Sequence, residues 1–276
     1  MKLIPYFVLC FLIITTIACK KTGDTLVNQV VEDKSLFNIL STKNVKTDGN
    51  ISITAANMSF AGALPSSISI DAFCKDKNGN AAPLEKLQIN QHIIPEETYT
   101  HYTAYFNNNR NASDYPAVVA SLFGNNLNIN LESKAFGNVI TQLYSPSVLK
   151  MDLSDIQNDI LLKRKGLTIK WDSDKILAQR SPDAEQLGVA IVYHAGYQSN
   201  KIQTGLPTQN VTVFKFVNES TGQVTFTPAE LAQLPDSGYG AAYLARANQT
   251  IVPSSTGQTI GITSFVMSSS QEIQFQ

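Results

Sequence analysis

Short runs of alternating apolar and polar residues recur along the chain from residue 50 onward. In the first half, the clearest runs occupy residues 51–55, 67–73 and 127–131. Successive side chains of a strand point to opposite faces of a sheet, so each run predicts a strand with one face on a core and the other in water. Asn78-Gly79 is a pair favoured in tight hairpin turns, and residues 107–114 form a polar loop of turn formers. Residues 50–155 are therefore predicted to form a β-rich domain.

The second half shows the same alternation more regularly. Residues 167–171 place Leu167, Ile169 and Trp171 on one face. Further strands are predicted at residues 188–194, 210–217, 222–227, 239–248, 258–267 and 272–275. Thr227-Pro228-Ala229-Glu230 is a capping box with proline at the first helical position, which predicts one short helix.

Short strands with one helical turn between them are typical of an antiparallel sandwich, which we expect for residues 156–276. The boundary is predicted where a polar and basic stretch, residues 152–165, precedes the second series of strands. The expected fold class is therefore all-β in the main, with two antiparallel β-sandwich domains in tandem.

The N-terminal residues have the pattern of a secretion signal. Lys2 precedes an apolar run at residues 3–17, and small and basic residues follow it. The run is shorter than the roughly 20 residues of a membrane-spanning helix and contains Pro5, so a removable signal is favoured over a permanent span. Residues 1–18 are predicted to leave the mature protein.

The end of this signal, Thr16-Ile17-Ala18-Cys19, resembles the lipobox of bacterial lipoproteins. Thr16 departs from the usual leucine. The resemblance implies cleavage after Ala18 and acylation of the Cys19 thiol, with an ordinary secretory signal and an unmodified Cys19 as the alternative. Acyl chains on Cys19 would hold the protein at the outer membrane, on its periplasmic or cell-surface side, without spanning it. Residues 19–49 then form the lipidated cysteine and a tether.

Cysteine usage agrees with this reading. Cys10 leaves with the signal and Cys19 is acylated, so Cys74 is the remaining thiol and no internal disulfide is expected. Cys74 lies in the apolar part of a predicted strand, which indicates a buried, inert thiol.

The layout of the second half resembles the immunoglobulin-like modules common in secreted bacterial lipoproteins. The resemblance rests on the order of strands and helix across residues 167–174, 188–195, 223–234 and 240–248. It departs from the pattern in having no cystine between the sheets and in placing Trp171 on the second strand. It implies an architecture, and an architecture does not imply a function.

Composition and motifs narrow the function classes. The chain has 21 basic and 22 acidic residues, and 16% of its residues are charged, which argues against a disordered polyelectrolyte and against a nucleic-acid partner. It contains no nucleophile elbow, zinc-protease motif, Cys-x-x-Cys pair or phosphate-binding loop. With three histidines and one spare thiol, we predict no catalytic residue and no cofactor.

Three groups of residues are nevertheless candidates for ligand binding. His92, Glu96, Glu97 and His101 are of the types that bind zinc, although a strand, a turn and a second strand with solvated side chains is the favoured interpretation. The stretch from Asp76 resembles the start of a calcium loop, but Ala81 and Leu87 stand where that loop needs glycine and glutamate, which favours a hairpin. Asp172 and Asp174 form an oxygen cluster in what is predicted to be a solvated loop. No metal site is therefore predicted.

Aromatic residues could mark a platform for a sugar. Tyr99, Tyr102, Tyr105 and Tyr115 occur beside residues 107–110, which are three asparagines and an arginine. Flat rings and planar amides suit sugar recognition, whereas packing on half-buried strands is the alternative.

Three function classes remain after these exclusions. The favoured one is a non-catalytic, membrane-anchored binding or scaffold module for an unknown glycan or protein ligand. The second resembles the fimbrillin-like subunits of pili, which are also lipid-tethered two-domain β proteins. In this class the apolar strand from Val211 to Val217, or the chain end, is expected to exchange between subunits by strand addition. The third is a hydrolase whose site is assembled from distant residues.

Overall fold

The structure is a computed structural model, and it describes residues 25–26, 46–57, 64–98, 100–107, 114–180, 187–198, 205–270 and 272–276. The predicted signal, the cleavage position at Ala18 and the lipid-bearing Cys19 lie outside these residues. The described part is mostly β with several sheets, which confirms the all-β class.

The strands follow the alternating runs of the sequence. In chain order they are β1 (Thr25–Leu26), β2 (Gly49–Asn57), β3 (Ser67–Lys75), β4 (Ala81–Ala82), β5 (Lys86–Ile89), β6 (His92–Ile93), β7 (Glu96–Thr98), β8 (His101–Asn107), β9 (Asn125–Glu132), β10 (Val139–Ser145), β11 (Met151–Asp152), β12 (Ile160–Leu161), β13 (Leu167–Trp171), β14 (Leu187–Tyr193), β15 (Val211–Val217), β16 (Gln223–Phe226), β17 (Gly238–Pro253), β18 (Thr259–Ser269) and β19 (Ile273–Phe275). The helices are α1 (Tyr115–Leu122), α2 (Lys175–Arg180) and α3 (Pro228–Leu231).

One large sheet runs through the molecule in the order β1-β15-β14-β17-β18-β2-β3-β8-β7. β4 pairs with β3 beside this row of strands, and β19 pairs with both β12 and β17. The neighbours are antiparallel except for two parallel pairs, β2 with β18 and β12 with β19. The alternation of apolar and polar residues in β2 determines which face of the strand packs on the core, because Ile51, Ile53 and Ala55 are fully buried on one face.

Two smaller sheets cover one face of the large sheet. One has the order β10-β9-β5-β6 and the other β11-β13-β16. A single apolar core fills the space between the layers and contains residues of all three sheets, such as Ile51, Leu127 and Ile169. We call this side of the large sheet its core face and the opposite side its outer face.

Strands from both sides of the predicted boundary at residue 155 share sheets. β2 pairs with β18 over residues 49–57, and β11 pairs with β13. The large sheet therefore joins the two halves of the chain. The division into residues 50–155 and 156–276 stays a prediction from the sequence. The strand pairs show no boundary at residue 155, because strands from both sides of it pair with each other.

Two of the three α-helices in the described part of the chain were not predicted from the sequence. α1 has a proline in its first turn and buries Tyr115, Val119 and Leu122, which have helical spacing. It was not predicted because it directly follows the polar loop at residues 107–114. α2 begins directly after Asp174 in the predicted solvated loop. The third helix, α3, is confirmed together with its capping box: the Glu230 amide donates to Thr227 Oγ1 at 3.3 Å and the Thr227 amide donates to Glu230 Oε2 at 2.7 Å.

Candidate functional site

The histidines and glutamates of the first candidate group lie on three strands, β6, β7 and β8. His92 Nε2 is 2.8 Å from the hydroxyl of Ser121, and the ring packs edge-to-face on Phe106. Burial lowers the pKa of His92. His101 Nε2 faces Asp71 Oδ1 at 3.9 Å across the outer face of the sheet. Among the described residues, no three histidines, cysteines or carboxylates are grouped so that they could hold a metal ion.

The two calcium-like stretches have structural roles. Asp76 caps the hairpin between β3 and β4, where its Oδ1 accepts from the amides of Asn78 and Asn80 at 2.8 Å. Gly79 has a φ of +83°, as the turn requires. These bonds confirm the predicted hairpin. Asp174 is 4% exposed and belongs to a buried ionic cluster, so the prediction of a solvated loop is wrong at this residue.

The aromatic residues do not form one surface. Tyr102 and Tyr115 are buried in the core, whereas Tyr105 is exposed on β8. Tyr99 and residues 108–110 lie outside the described residues. A contiguous platform built on Tyr102 and Tyr115 is therefore ruled out, because their rings serve core packing.

The thiol of Cys74 is 1% exposed, and burial raises its pKa to about 12. This confirms the prediction of a buried, inert thiol, since the reactive form of cysteine is the thiolate. None of the helices in the described part of the chain has the length and apolar character needed to cross a membrane.

The largest fully buried side chain is that of Arg246, which projects from the core face of β17 into an ionic cluster. Its Nη1 lies 3.4 Å from Glu219 Oε1 and 3.8 Å from Asp174 Oδ2. Its Nη2 donates to the carbonyl of Asp172 at 2.9 Å, and its Nη1 donates to Ser147 Oγ at 3.1 Å. We call Arg246, Glu219, Asp174 and Tyr144 the ionic cluster.

The two carboxylates of the cluster have different surroundings. Burial raises the pKa of Asp174, but the amides of Ser147 and Leu177 and the hydroxyl of Tyr144 outweigh burial, so the net shift is downward. Burial raises the pKa of Glu219 above its ordinary value, and Arg246 opposes that rise. Burial also raises the pKa of Tyr144, whose hydroxyl donates to Asp174 at 2.9 Å.

The ionic cluster lies where the three sheets meet. Tyr144 and Ser147 come from the end of β10 and the residues after it, Asp174 follows β13, and Glu219 sits in a 3₁₀ turn between β15 and β16. Because these groups are enclosed, the cluster is suited to holding the layers together. It offers no surface to a substrate.

The outward face of the four-stranded sheet carries a row of exposed and half-buried amides, which we call the amide face. Cross-strand pairs place Gln88 beside Asn130 and Asn128 beside Gln142. Together with Asn90 and Thr141 they line a shallow cavity of about 380 Å³, at whose side Ile140 is 85% exposed.

Hydrogen bonds within the sheet hold these amides in place. Gln142 Nε2 donates to Asn128 Oδ1 at 2.7 Å, and the backbone N–H of Asn128 donates to Asn90 Oδ1 at 2.8 Å. Asn90 in turn donates to the carbonyl of Ser121 at 2.7 Å, which fixes the row to α1. The side-chain oxygens of Gln88, Asn130 and Gln142 have no hydrogen-bond partner in the described part of the chain.

Charged side chains meet the amide face at its ends, and at one of them Asn130 Nδ2 donates to Glu132 Oε1 at 3.2 Å. Lys86 and Glu132 lie at one end of the sheet, with Nζ and Oε1 3.7 Å apart. At the other end, Arg180 Nη2 donates to Asn126 Oδ1 at 2.9 Å. The cavity between these two ends is lined by neutral side chains.

No protein-family model and no curated protein matches the chain. Among solved structures, one from a study of host cell surface retention by a 1.5-MDa bacterial ice-binding adhesin is 8% identical, with a TM-score of 0.21, over 80% of this chain and 64% of that one. A second, from a study of a Ca²⁺-stabilized adhesin with which an Antarctic bacterium binds ice, is 9% identical, with a TM-score of 0.19, over 82% of this chain and 50% of that one. The chain thus spans less than two thirds of either structure. At TM-scores this low the likeness supports no conclusion about the fold, the role or the ligand of this chain.

Neither the ionic cluster nor the amide face was predicted from the sequence, although part of the amide face could be recognised from strand alternation. The alternation of residues 127–131 predicts that Asn128 and Asn130 point outward, which is half of the amide face. Gln88 and Gln142 join them through strand pairing, for which the sequence has no local sign. The members of the ionic cluster are separated by long stretches of chain, so no motif could connect them.

Proposed function

We propose that the protein is a non-catalytic, extracytoplasmic binding module that is anchored through acyl chains on Cys19 and binds neutral carbohydrate through the amide face. The observation that carries this proposal is the fixed row of neutral amides around an open cavity. The module would act at the outer membrane, on its periplasmic or cell-surface side.

The chemistry of the amide face matches that of a sugar. Each amide offers a carbonyl acceptor and two N–H donors, and each sugar hydroxyl can both donate and accept. Because Gln142 and Asn128 are already held by bonds within the sheet, little side-chain freedom would be lost on binding. The exposed side chain of Ile140 can contact the apolar C–H groups of a sugar ring.

The character of the other polar groups supports a binding role over catalysis. In the ionic cluster, Arg246 and Glu219 are both 0% exposed. A substrate would have to open the junction of three sheets to reach them. The amide face is accessible but lined by amides, which are poor acids and bases at neutral pH.

Binding can be tested with a soluble chain that lacks the signal and the lipidated cysteine, residues 20–276, on a glycan array. We expect selective binding of neutral glycans and at least a tenfold loss on Gln142→Ala, since that change removes an acceptor and releases Asn128. Gln223→Ala is the matched control, because Gln223 is also an exposed strand glutamine but lies in β16. No bound glycan, or equal loss in both variants, would contradict the proposal.

The anchor is tested separately. In bacteria expressing the full chain, Cys19→Ser should abolish partition into the detergent phase, because the acylated thiol is removed. A Cys19→Ser product that still partitions completely and has its normal mature mass would show that lipidation is not the anchor.

The fimbrillin-like alternative requires a free strand edge, and β10 is an edge of the four-stranded sheet. The edge is partly occupied. The amide of Ser255 donates to the Asn138 carbonyl at 2.9 Å, and Asn248 Nδ2 donates to the Tyr144 carbonyl at 2.7 Å. These bonds leave a short stretch around Ile140 for an incoming strand, so self-assembly is the weaker candidate. A mature chain that forms polymers in light scattering would favour it.

A further inference from the structure

Two isoleucines flank the amides at the centre of the amide face. Strand pairing places Ile140 of β10 beside Asn130 of β9, Asn130 beside Gln88 of β5, and Gln88 beside Ile93 of β6. Residues that pair directly across neighbouring strands project from the same face of the sheet. The four side chains therefore form one row across the sheet, with an isoleucine at each end and two amides between them. We call them the cross-strand row.

Both isoleucines are open to solvent. Ile140 is 85% exposed and Ile93 is 70% exposed, and no other large apolar side chain in the described part of the chain exceeds 54%. They lie on the two edge strands of their sheet, β10 and β6. Edge strands usually carry polar or charged side chains, which discourage pairing with other chains, so exposed isoleucine at both edges departs from the rule. A ligand that covers the two side chains would account for their position.

The dimensions of the face suit a short, chain-like ligand. The cross-strand row spans three strand spacings, which is about 14 Å from one isoleucine to the other. A second row of amides, Gln142, Asn128 and Asn90, lies two residues further along the strands, about 7 Å away. The cavity of about 380 Å³ is lined by members of both rows, and its volume is at the low end of the range for small-molecule pockets, about 300–1,000 Å³. A ligand that lies along the cross-strand row would reach both isoleucines.

The two amides of the cross-strand row are held in place but retain bonding capacity. Gln88 Nε2 donates to the Asn90 carbonyl at 2.8 Å, and Asn130 Nδ2 donates to Glu132 Oε1 at 3.2 Å. Each bond uses one of the two N–H groups of its amide, so each amide keeps one N–H donor and its carbonyl acceptor. The row therefore matches a ligand group that has one N–H donor and one carbonyl acceptor of its own.

An acetamido group has this combination together with an apolar part. Its N–H and carbonyl can bond to the amides, and its methyl group can contact an isoleucine. A sugar that carries only hydroxyl groups would leave the two isoleucines beside polar groups. An ionised sugar would lose hydration in a cavity that is lined by neutral side chains.

We infer that the amide face selects glycans that contain N-acetylated amino sugars. The acetamido groups bond to Gln88 and Asn130, and their methyl groups contact Ile93 and Ile140. Isoleucine is branched and not flat, so it packs on a methyl group more readily than on the face of a sugar ring. The inference rests on the proposed function, because it names the class of carbohydrate that the same site takes.

Chitin and cellulose oligosaccharides of equal length are a matched pair of probes. They share the same backbone and linkage, and each sugar carries an acetamido group in chitin where cellulose has a hydroxyl group. We expect the soluble chain, residues 20–276, to bind the chitin oligosaccharide at least about tenfold more tightly in isothermal titration calorimetry, because two methyl groups are removed from water.

Threonine substitutions test the methyl contacts. Ile93→Thr and Ile140→Thr keep the branched Cβ that suits a strand and remove apolar contact area. Each should weaken binding of the chitin oligosaccharide about fourfold, and the double variant about tenfold or more, with any binding of the cellulose oligosaccharide unchanged. Ile251→Thr is the matched control, because Ile251 is an exposed strand isoleucine of β17, and it should change neither affinity. Urea unfolding of each variant verifies that the fold is retained.

Three results would overturn the inference. Equal affinity for the two oligosaccharides, or equal losses in Ile93→Thr and Ile251→Thr, would contradict selection of acetamido groups and leave the proposed carbohydrate site standing. A chitin affinity that Gln142→Ala lowers but the double isoleucine variant does not would assign recognition to polar contacts alone. Binding of no glycan would overturn the proposed function and this inference together.

Discussion

Replacing Arg246 by methionine removes the cation that faces two buried carboxylates. At an effective dielectric constant of about 20, a charge pair at the 3.4 Å separation of Arg246 and Glu219 is worth about 5 kcal/mol, and the 3.8 Å pair with Asp174 about 4 kcal/mol. The desolvation of the fully buried guanidinium offsets much of this attraction. Breaking such a pair typically costs about 3–5 kcal/mol, because the partner charge stays buried without compensation. We expect Arg246→Met to lower the free energy of unfolding by that amount and the melting temperature by roughly 6–20 °C.

The same substitution should change the pH dependence of stability. The pKa of Glu219 is already raised by burial, and Arg246 is the group that opposes the rise. Without Arg246 the folded variant binds a proton at Glu219 more tightly than the unfolded chain does, so its stability rises as the pH falls toward the unfolded pKa. The loss in free energy relative to the unsubstituted protein should therefore be smaller at pH 5 than at pH 8.

Urea unfolding followed by Trp171 fluorescence measures both effects, because the indole Nε1 donates to the Glu219 carbonyl at the edge of the cluster. Adding Glu219→Gln to Arg246→Met should restore part of the stability, since one uncompensated charge is removed. Arg180→Met is the matched control, because Arg180 is an exposed arginine over the Tyr144 ring and should contribute less than about 1 kcal/mol. A double variant that is less stable than Arg246→Met, or a loss that is equal at both pH values, would refute the electrostatic explanation.

Three further substitutions test the packing of the fold. Gly240→Ala should destabilise the protein by about 3 kcal/mol or more in urea unfolding, because the added Cβ would lie 1.9 Å from the Val192 carbonyl oxygen. Gly79→Ala should cost about 1 kcal/mol, because only the positive φ of Gly79 opposes it. Equal losses in the two variants would contradict a steric clash at Gly240. Cys74 in the mature chain should not react with Ellman's reagent at pH 8 until the protein is unfolded, since burial raises its pKa to about 12, and a fast native reaction would show that the strand opens. Thr227→Ala should cost about 1 kcal/mol by removing the N-terminal cap of α3, with Thr225→Ala on the exposed side of β16 as a comparison that should cost less.

The features predicted correctly from the sequence are those set by neighbouring residues. Alternation placed β2, β3, β9 and β13 because the period of a strand is two, whatever the strand pairs with. The hairpin after β3 and the cap of α3 follow from side chains that bond to their own backbone within four residues. Strand alternation also predicted that Cys74 is buried and that the side chain of Asn128 points outward.

The tertiary structure decided which of these local pieces meet. Either face of an alternating strand can be recognised from the sequence, but the partner strand depends on long-range matching of faces and edges. The parallel pairing of β2 with β18 joins two halves that the sequence divides near residue 155. The assembly of Arg246, Glu219 and Asp174 and the joining of Gln88 to Gln142 across β9 are likewise consequences of packing. The sequence thus determined the strands and their faces, and the packing of the sheets determined where charge is enclosed and which amides lie together on the surface.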